Sequence, residues 1–191
     1  MKKIISAAAC LLLTFFSITS HAQEDPMKAW QDFMTPGAMH KWLASHVGTW
    51  ESEVQMWMDP AAPPTKSAST DVVTMSMNGL FQIGHFTSTM MGMPFQGQST
   101  LGYDNAKKKF VLSWIDTFSS GMVIMNGDYD PATKTLSLSG VQTDPVTGKD
   151  SPIRQVNVYH DENSYTSSMY GAGPDGKEMK FMEGTYKRKK Q

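Results

Sequence analysis

From Gly48 onward the chain alternates apolar and polar residues in short runs. Phe110, Leu112 and Trp114 share one side of an extended segment, Leu136 and Leu138 flank serines, and Val156 and Val158 alternate with Gln155, Asn157 and Tyr159. A period of two with one apolar face is what a half-buried antiparallel strand requires. The pattern predicts strands over 48–58, 67–78, 80–90, 95–103, 108–116, 121–129, 134–142, 152–160, 164–170 and 177–188. Turn residues punctuate them. Asp104-Asn105 tolerates left-handed backbone, Asp130-Pro131 and Asp144-Pro145 start turns with a preset φ, and Gly148, Gly171, Gly173 and Gly176 accept positive φ. Pro60, Pro63 and Pro64 mark a loop. No long helical pattern separates the strands, so the expected fold is mainly β, an antiparallel up-and-down β-barrel of about ten strands whose closure removes exposed edges. About eight strands already leave room for side chains or one small ligand, and width grows with strand number, so an internal cavity is expected.

The pattern before Gly48 is helical. Asp25-Pro26 and Thr35-Pro36 each place a capping residue before a proline suited to the first helical turn. Trp30, Phe33 and Met34 fall on one face of the first short helix, and Met39, Trp42, Leu43 and His46 on one face of the second. Both are too short to stand without docking. Earlier still, Lys2-Lys3, the apolar stretch Ile4–Ile18 and Ser20-His21-Ala22 form the three parts of a secretory signal peptide with cleavage after Ala22. The expected organisation is a signal peptide over 1–22, a helical segment over 23–47 and a barrel domain over 48–191, in a periplasmic or secreted protein.

Cleavage removes Cys10, the only cysteine, so neither disulfide nor thiolate chemistry is expected. It also removes Lys2 and Lys3, taking the formal net charge below its value of −1. The basic run Lys187-Arg188-Lys189-Lys190 reads as a solvated tail, and no nucleic-acid partner or membrane span is expected in the mature chain.

Several runs carry a family likeness: His46-Val47-Gly48-Thr49-Trp50, Gly92-Met93-Pro94-Phe95-Gln96-Gly97, Leu101-Gly102-Tyr103-Asp104, Trp114-Ile115-Asp116, Gly127-Asp128-Tyr129-Asp130 and Pro174-Asp175-Gly176-Lys177-Glu178. Together they resemble the uncharacterised bacterial family DUF1579 (domain of unknown function), from about Met39 to the C-terminus. The resemblance implies a lipocalin-like barrel and brings no activity or catalytic residues. Gly48-Thr49-Trp50 also resembles the Gly-x-Trp that opens the first strand of lipocalin-like barrels. That likeness implies a cation from the last strand, Arg188, packed over Trp50 to close one end.

Methionine is abundant, with Met56 and Met58, Met75 and Met77, and Met90, Met91 and Met93 closely spaced. Thioethers bind Cu(I), but Met-x-Met on a strand separates the sulfurs by about 7 Å, which favours core filling or pocket lining. His40, His46, His85 and His160 lack metal-site spacing; His85 shares the parity of Phe81 and Ile83, and His85 or His160 is a minor candidate for haem ligation. Most acidic residues sit at turns. Asp116 ends a strong strand, and Glu183 has the parity of Met179 and Phe181, which would bury it if that face points inward. No nucleophile elbow, phosphate loop or zinc signature occurs, and no cofactor is expected.

The leading expectation is non-catalytic binding of a small apolar or amphipathic molecule in the barrel. Its expected wall is Met75, Met77, Phe81, His85, Phe86, Met90, Phe110, Leu112, Trp114, Met122, Ile124, Phe181 and Glu183, with some of these facing outward. The alternatives are an interaction domain with a filled barrel, and a hydrolase or isomerase using Glu183 or Asp116 with a nearby Tyr or His.

Overall fold

A computed structural model describes residues 25–190. The expected leader and its cleavage site lie outside them. Two short helices, α1 (Pro26–Met34) and α2 (Ala38–Ser45), precede ten strands: β1 (Gly48–Met56), β2 (Thr65–Ser76), β3 (Phe81–Met90), β4 (Met93–Asp104), β5 (Lys109–Asp116), β6 (Val123–Asp130), β7 (Thr135–Thr143), β8 (Asp150–Asp161), β9 (Ser164–Ala172) and β10 (Glu178–Arg188). Each strand pairs antiparallel with the next, and β1 also pairs with β10, so the meander closes into a barrel. Every strand therefore has two partners, and none presents an open edge.

Alternation decides what faces inward. Trp50, Ser52 and Val54 of β1 are buried between more exposed neighbours, as are Phe110 and Leu112 of β5 and Leu136 and Leu138 of β7. Two apolar groups fill much of the interior. One joins Leu101, Phe110, Leu112, Met125, Leu136, Leu138 and Ile153 to Leu43 of α2; the other joins Trp50, Val54, Val73, Phe86, Met90, Phe95 and Tyr186.

α2 closes one end. Its Trp42 ring lies 5.4 Å from Phe110, 4.4 Å from Tyr129 and 5.1 Å from Tyr159, on β5, β6 and β8 along one side of the mouth. Gln82 Nε2 donates to the Leu43 carbonyl at 2.9 Å, and Trp50 Nε1 donates to the His46 carbonyl at 3.0 Å. His40, buried beside Tyr103, accepts the Gly37 N–H on Nδ1 at 3.0 Å, and burial lowers its pKa. Arg188 lies opposite Trp50 across the β1–β10 seam, its guanidinium 4.4 Å from the indole centroid. It also donates to the Ser45, Val47 and Glu162 carbonyls and to Asn163 Oδ1. Gly48 makes this approach possible. Its φ is +143°, and a Cβ there would come within 2.8 Å of an Arg188 nitrogen.

α1 behaves differently. None of its residues is buried, although Asp25 caps it and Asn105 Nδ2 holds the Asp32 and Thr35 carbonyls at 3.0 and 2.8 Å.

Candidate functional site

The β1–β3 and β8–β10 walls place polar side chains inside the barrel. On β2 the inward positions read Ser67, Ser69, Asp71, Val73 and Met75, because burial alternates with that parity. Ser52 and Ser69 Oγ share a hydrogen bond between β1 and β2, and Tyr186 of β10 hydrogen-bonds Ser52. The Tyr186 ring stacks on Tyr165, with centroids 4.4 Å apart and planes 5° from parallel, and Tyr159 lies 5.3 Å beyond. Next to them, Gln155 Nε2 donates to Asn157 Oδ1 at 3.0 Å and lies 3.4 Å from Ser167 Oγ. Burial raises the pKa of Tyr159, Tyr165 and Tyr186, so all three stay neutral at physiological pH.

Asp71 is the outlier in this belt. Across the strands it faces Trp50 on β1 and Phe86 on β3. Its Oδ1 is buried and has no hydrogen-bond partner among the described residues. Burial pushes the carboxyl up to about 6, while the charge of His85 pulls it back down. Gly84 makes room for it: a Cβ at Gly84 would lie 3.1 Å from Asp71 Oδ1 and 2.6 Å from Ser99 Oγ. A desolvated carboxylate with an open acceptor costs stability, and proteins concentrate such groups at functional sites.

The expected wall divides. Met90, Phe110 and Leu112 are buried inside; Met75, Trp114 and Phe181 pack against the interior groups. Six others do not line the interior. Met77 is 70% exposed, because β2 ends at Ser76 and Met77 and Asn78 turn with φ of 50° and 57°. Phe81 and His85 share a face as expected, but it is the outer one, since Gly84, Phe86 and Met90 are the buried positions of β3. Met122 precedes β6 in the turn and Ile124 faces out, because Val123 and Met125 take the inward parity.

Glu183 is overturned by a bulge. The β9–β10 register shifts between Lys180 and Met182, so Phe181 packs inward and so do Met182, Gly184 and Tyr186, leaving Glu183 outside. There it accepts from Lys180 Nζ and Ser168 Oγ, and the lysine holds its carboxyl below the usual range. Asp116 caps the loop after β5, accepting from Trp114 Nε1 and the Phe118 N–H, both at 2.8 Å. An acid–base pair built on Glu183 or Asp116 therefore lacks an interior partner.

His85 points outward and His160 lies exposed with Nε2 2.9 Å from Thr166 Oγ1, so neither presents a ring nitrogen to the lumen for haem. Met75 and Met77 do not share a strand face, which removes that pair from the copper reading. Asp71 was missed because Lys66–Asp71 contains no large apolar residue to announce an inward face. Its parity with Val73 and Met75 was the available signal.

Two shallow grooves lie on the protein surface. One runs along Val47–Thr49, Asn163 and Arg188–Lys190, the other along Glu51, Ser52, Ala68–Thr70 and Thr87–Thr89. In the first, two of the three cations are committed: Arg188 to carbonyls and Lys189 to Glu51.

The profile of a family described as "Protein of unknown function (DUF1579)" matches residues 35–188. No curated protein matches the chain. Among solved structures, that of Rv2717c from M. tuberculosis superposes with a TM-score of 0.62 at 14% identity, covering 82% of this chain and 100% of that one. At that identity the likeness concerns the barrel fold.

Proposed function

We propose that this chain, which belongs to the DUF1579 family of proteins of unknown function, is exported and binds a small amphipathic molecule inside its barrel. The observation that carries the reading is the buried, unpartnered Oδ1 of Asp71 among aromatic and methionine side chains. The apolar body of the ligand lies against Met75, Met90, Trp114 and Met182, and its polar group reaches the belt of Asp71, Tyr165 and Tyr186. The interior is closely lined, with Trp50, Phe86 and Tyr186 each under a tenth exposed, so a ligand enters only as wall side chains move apart. Half-buried Asp71, Ser99, Gln155, Tyr165 and Met169, with Met75, Trp114 and Met182, are among the inward residues that keep some exposed surface. Matching a few placed polar groups to an apolar wall is the usual construction of small-molecule sites.

Two experiments test the reading. Native mass spectrometry after incubation with a bacterial lipid extract should recover a defined small molecule from the folded protein. Recovery of nothing, together with exclusion of an apolar dye, contradicts it. Export rests on the tripartite N-terminal pattern, and N-terminal sequencing of the protein from a periplasmic fraction should begin at Gln23.

A further inference from the structure

The chemistry around Asp71 narrows the ligand class, and this step rests on the lumen-binding reading above. An acceptor buried without a donor lacks an N–H or O–H. A desolvated carboxylate also lacks a counter-charge, and the described inward positions of β1–β3, β9 and β10 around it carry no lysine. Arg188, over Trp50 at the closed end, spends Nε, Nη1 and Nη2 on carbonyls and Asn163. The remaining surroundings are aromatic. Trp50 and Phe86 flank the carboxylate across the sheet, and the stacked Tyr165–Tyr186 pair stands close enough for the Asp71 charge to raise both phenols. Aromatic faces favour cations. A neutral alcohol would satisfy Oδ1 and leave the charge uncompensated; a fatty-acid carboxylate would be repelled. Only a cation that donates an N–H meets both deficits.

We infer that the lumen recognises a small organic ammonium bearing at least one N–H, its head beside Asp71 among the Trp50, Tyr165 and Tyr186 rings and its apolar tail along the methionine wall. Asp71 Oδ1 and the Trp50 and Tyr186 rings are closed off in this structure, so these side chains part to admit the head. No covalent step is involved.

The test uses the mature full chain and four probes that share a tail: hexylamine, 1-hexanol, hexanoate and hexyltrimethylammonium, titrated by calorimetry and tryptophan fluorescence at neutral pH. A charge-assisted contact predicts hexylamine binding roughly tenfold or more tighter than hexanol, with hexanoate weakest. Hexyltrimethylammonium, which lacks the N–H, should fall between hexylamine and hexanol. Asp71→Asn should bring hexylamine and hexanol within about twofold of each other while hexanol binding persists, since a neutral head does not need the carboxylate.

A second measurement covers the case in which that variant does not fold. In the wild-type protein the hexylamine preference should shrink as pH falls through about 6, where Asp71 takes up a proton. The other groups facing that carboxylate are Tyr165 on β9 and Tyr186 on β10, which stay neutral, with His85 on the outer side of β3. At the plug, His46 is held low by burial, and the Arg188 guanidinium is bonded to carbonyls and Asn163.

Equal affinity for hexanol and hexylamine would overturn the ammonium inference and leave the lumen reading standing. Equal affinity for hexyltrimethylammonium and hexylamine would remove the N–H contact. Exclusion of all four probes and of an apolar dye would overturn both.

Discussion

The two sides of the barrel interior are built on opposite principles. Along β5–β7 and at the start of β8 the buried inward residues are Phe110, Leu112, Met125, Leu136, Leu138 and Ile153, each under a tenth exposed and grouped with Leu43 of the plug. Around β1–β3 and β9–β10 the apolar residues share the wall with Ser52, Ser69, Asp71, Ser167 and a tyrosine stack. The first side maximises burial and carries stability. The second accepts an uncompensated carboxylate, which opposes folding. That cost is why the proposed binding site is placed on the polar side.

The contrast yields four expectations. Leu136→Ala should have the largest cost, about 2–5 kcal/mol in denaturant unfolding, because Leu136 is fully buried in a tightly packed group. A cost below 1 kcal/mol would mean the filled side is loosely packed. Asp71→Asn should act in the opposite direction. The folded carboxyl titrates near 6 instead of 3.8, so the native state holds the proton more tightly than the unfolded chain. That contribution to stability is fully present below about pH 4 and is lost as pH rises through 6. Asn abolishes the loss, so at neutral pH the variant should be more stable by about 3 kcal/mol, and its stability should no longer decline between pH 4 and 6.

Arg188→Ala should cost about 1–2 kcal/mol, from the indole contact and the carbonyls it leaves unbonded, and Arg188→Lys should restore only part of it. Glu183→Gln should change stability by less than about 1 kcal/mol, because its pair with Lys180 is partly exposed and Gln can still accept from Ser168. The two carboxylates thus separate: one substitution stabilises and removes ligand preference, the other does neither. Thermal melts of both variants at several pH values check this.

Much of the fold was legible because alternation and turn chemistry act locally. The helix led by Asp25-Pro26 and the strand over Lys109–Asp116 follow from residues within a few positions. The second helix starts later than Thr35-Pro36 suggested, with Gly37 as its N-cap and Thr35 ending the first helix, and the pairing of Trp50 with Arg188 was implied by the resemblance to lipocalin-like barrels. The site was less legible for two physical reasons. Parity tells which residues share a face but not which face is inside; His85, Phe81 and Ile83 keep company on the outer surface. A single bulge also resets parity, as at Lys180–Met182, where Phe181 turns in while Glu183 stays out. Asp71 adds a third obstacle. The inward positions before it are Ser67 and Ser69, and only the closure of the sheet around them buries a polar stretch of this kind.

The central claim is that Asp71 is an inward, desolvated carboxylate awaiting a cationic partner. Carbon-13 NMR titration of its side-chain carboxyl tests this most directly. A midpoint near 6 in the protein without ligand, moving downward when hexylamine is added, is the predicted result. A midpoint at the ordinary aspartate value of about 3.9, unmoved by the amine, would contradict it.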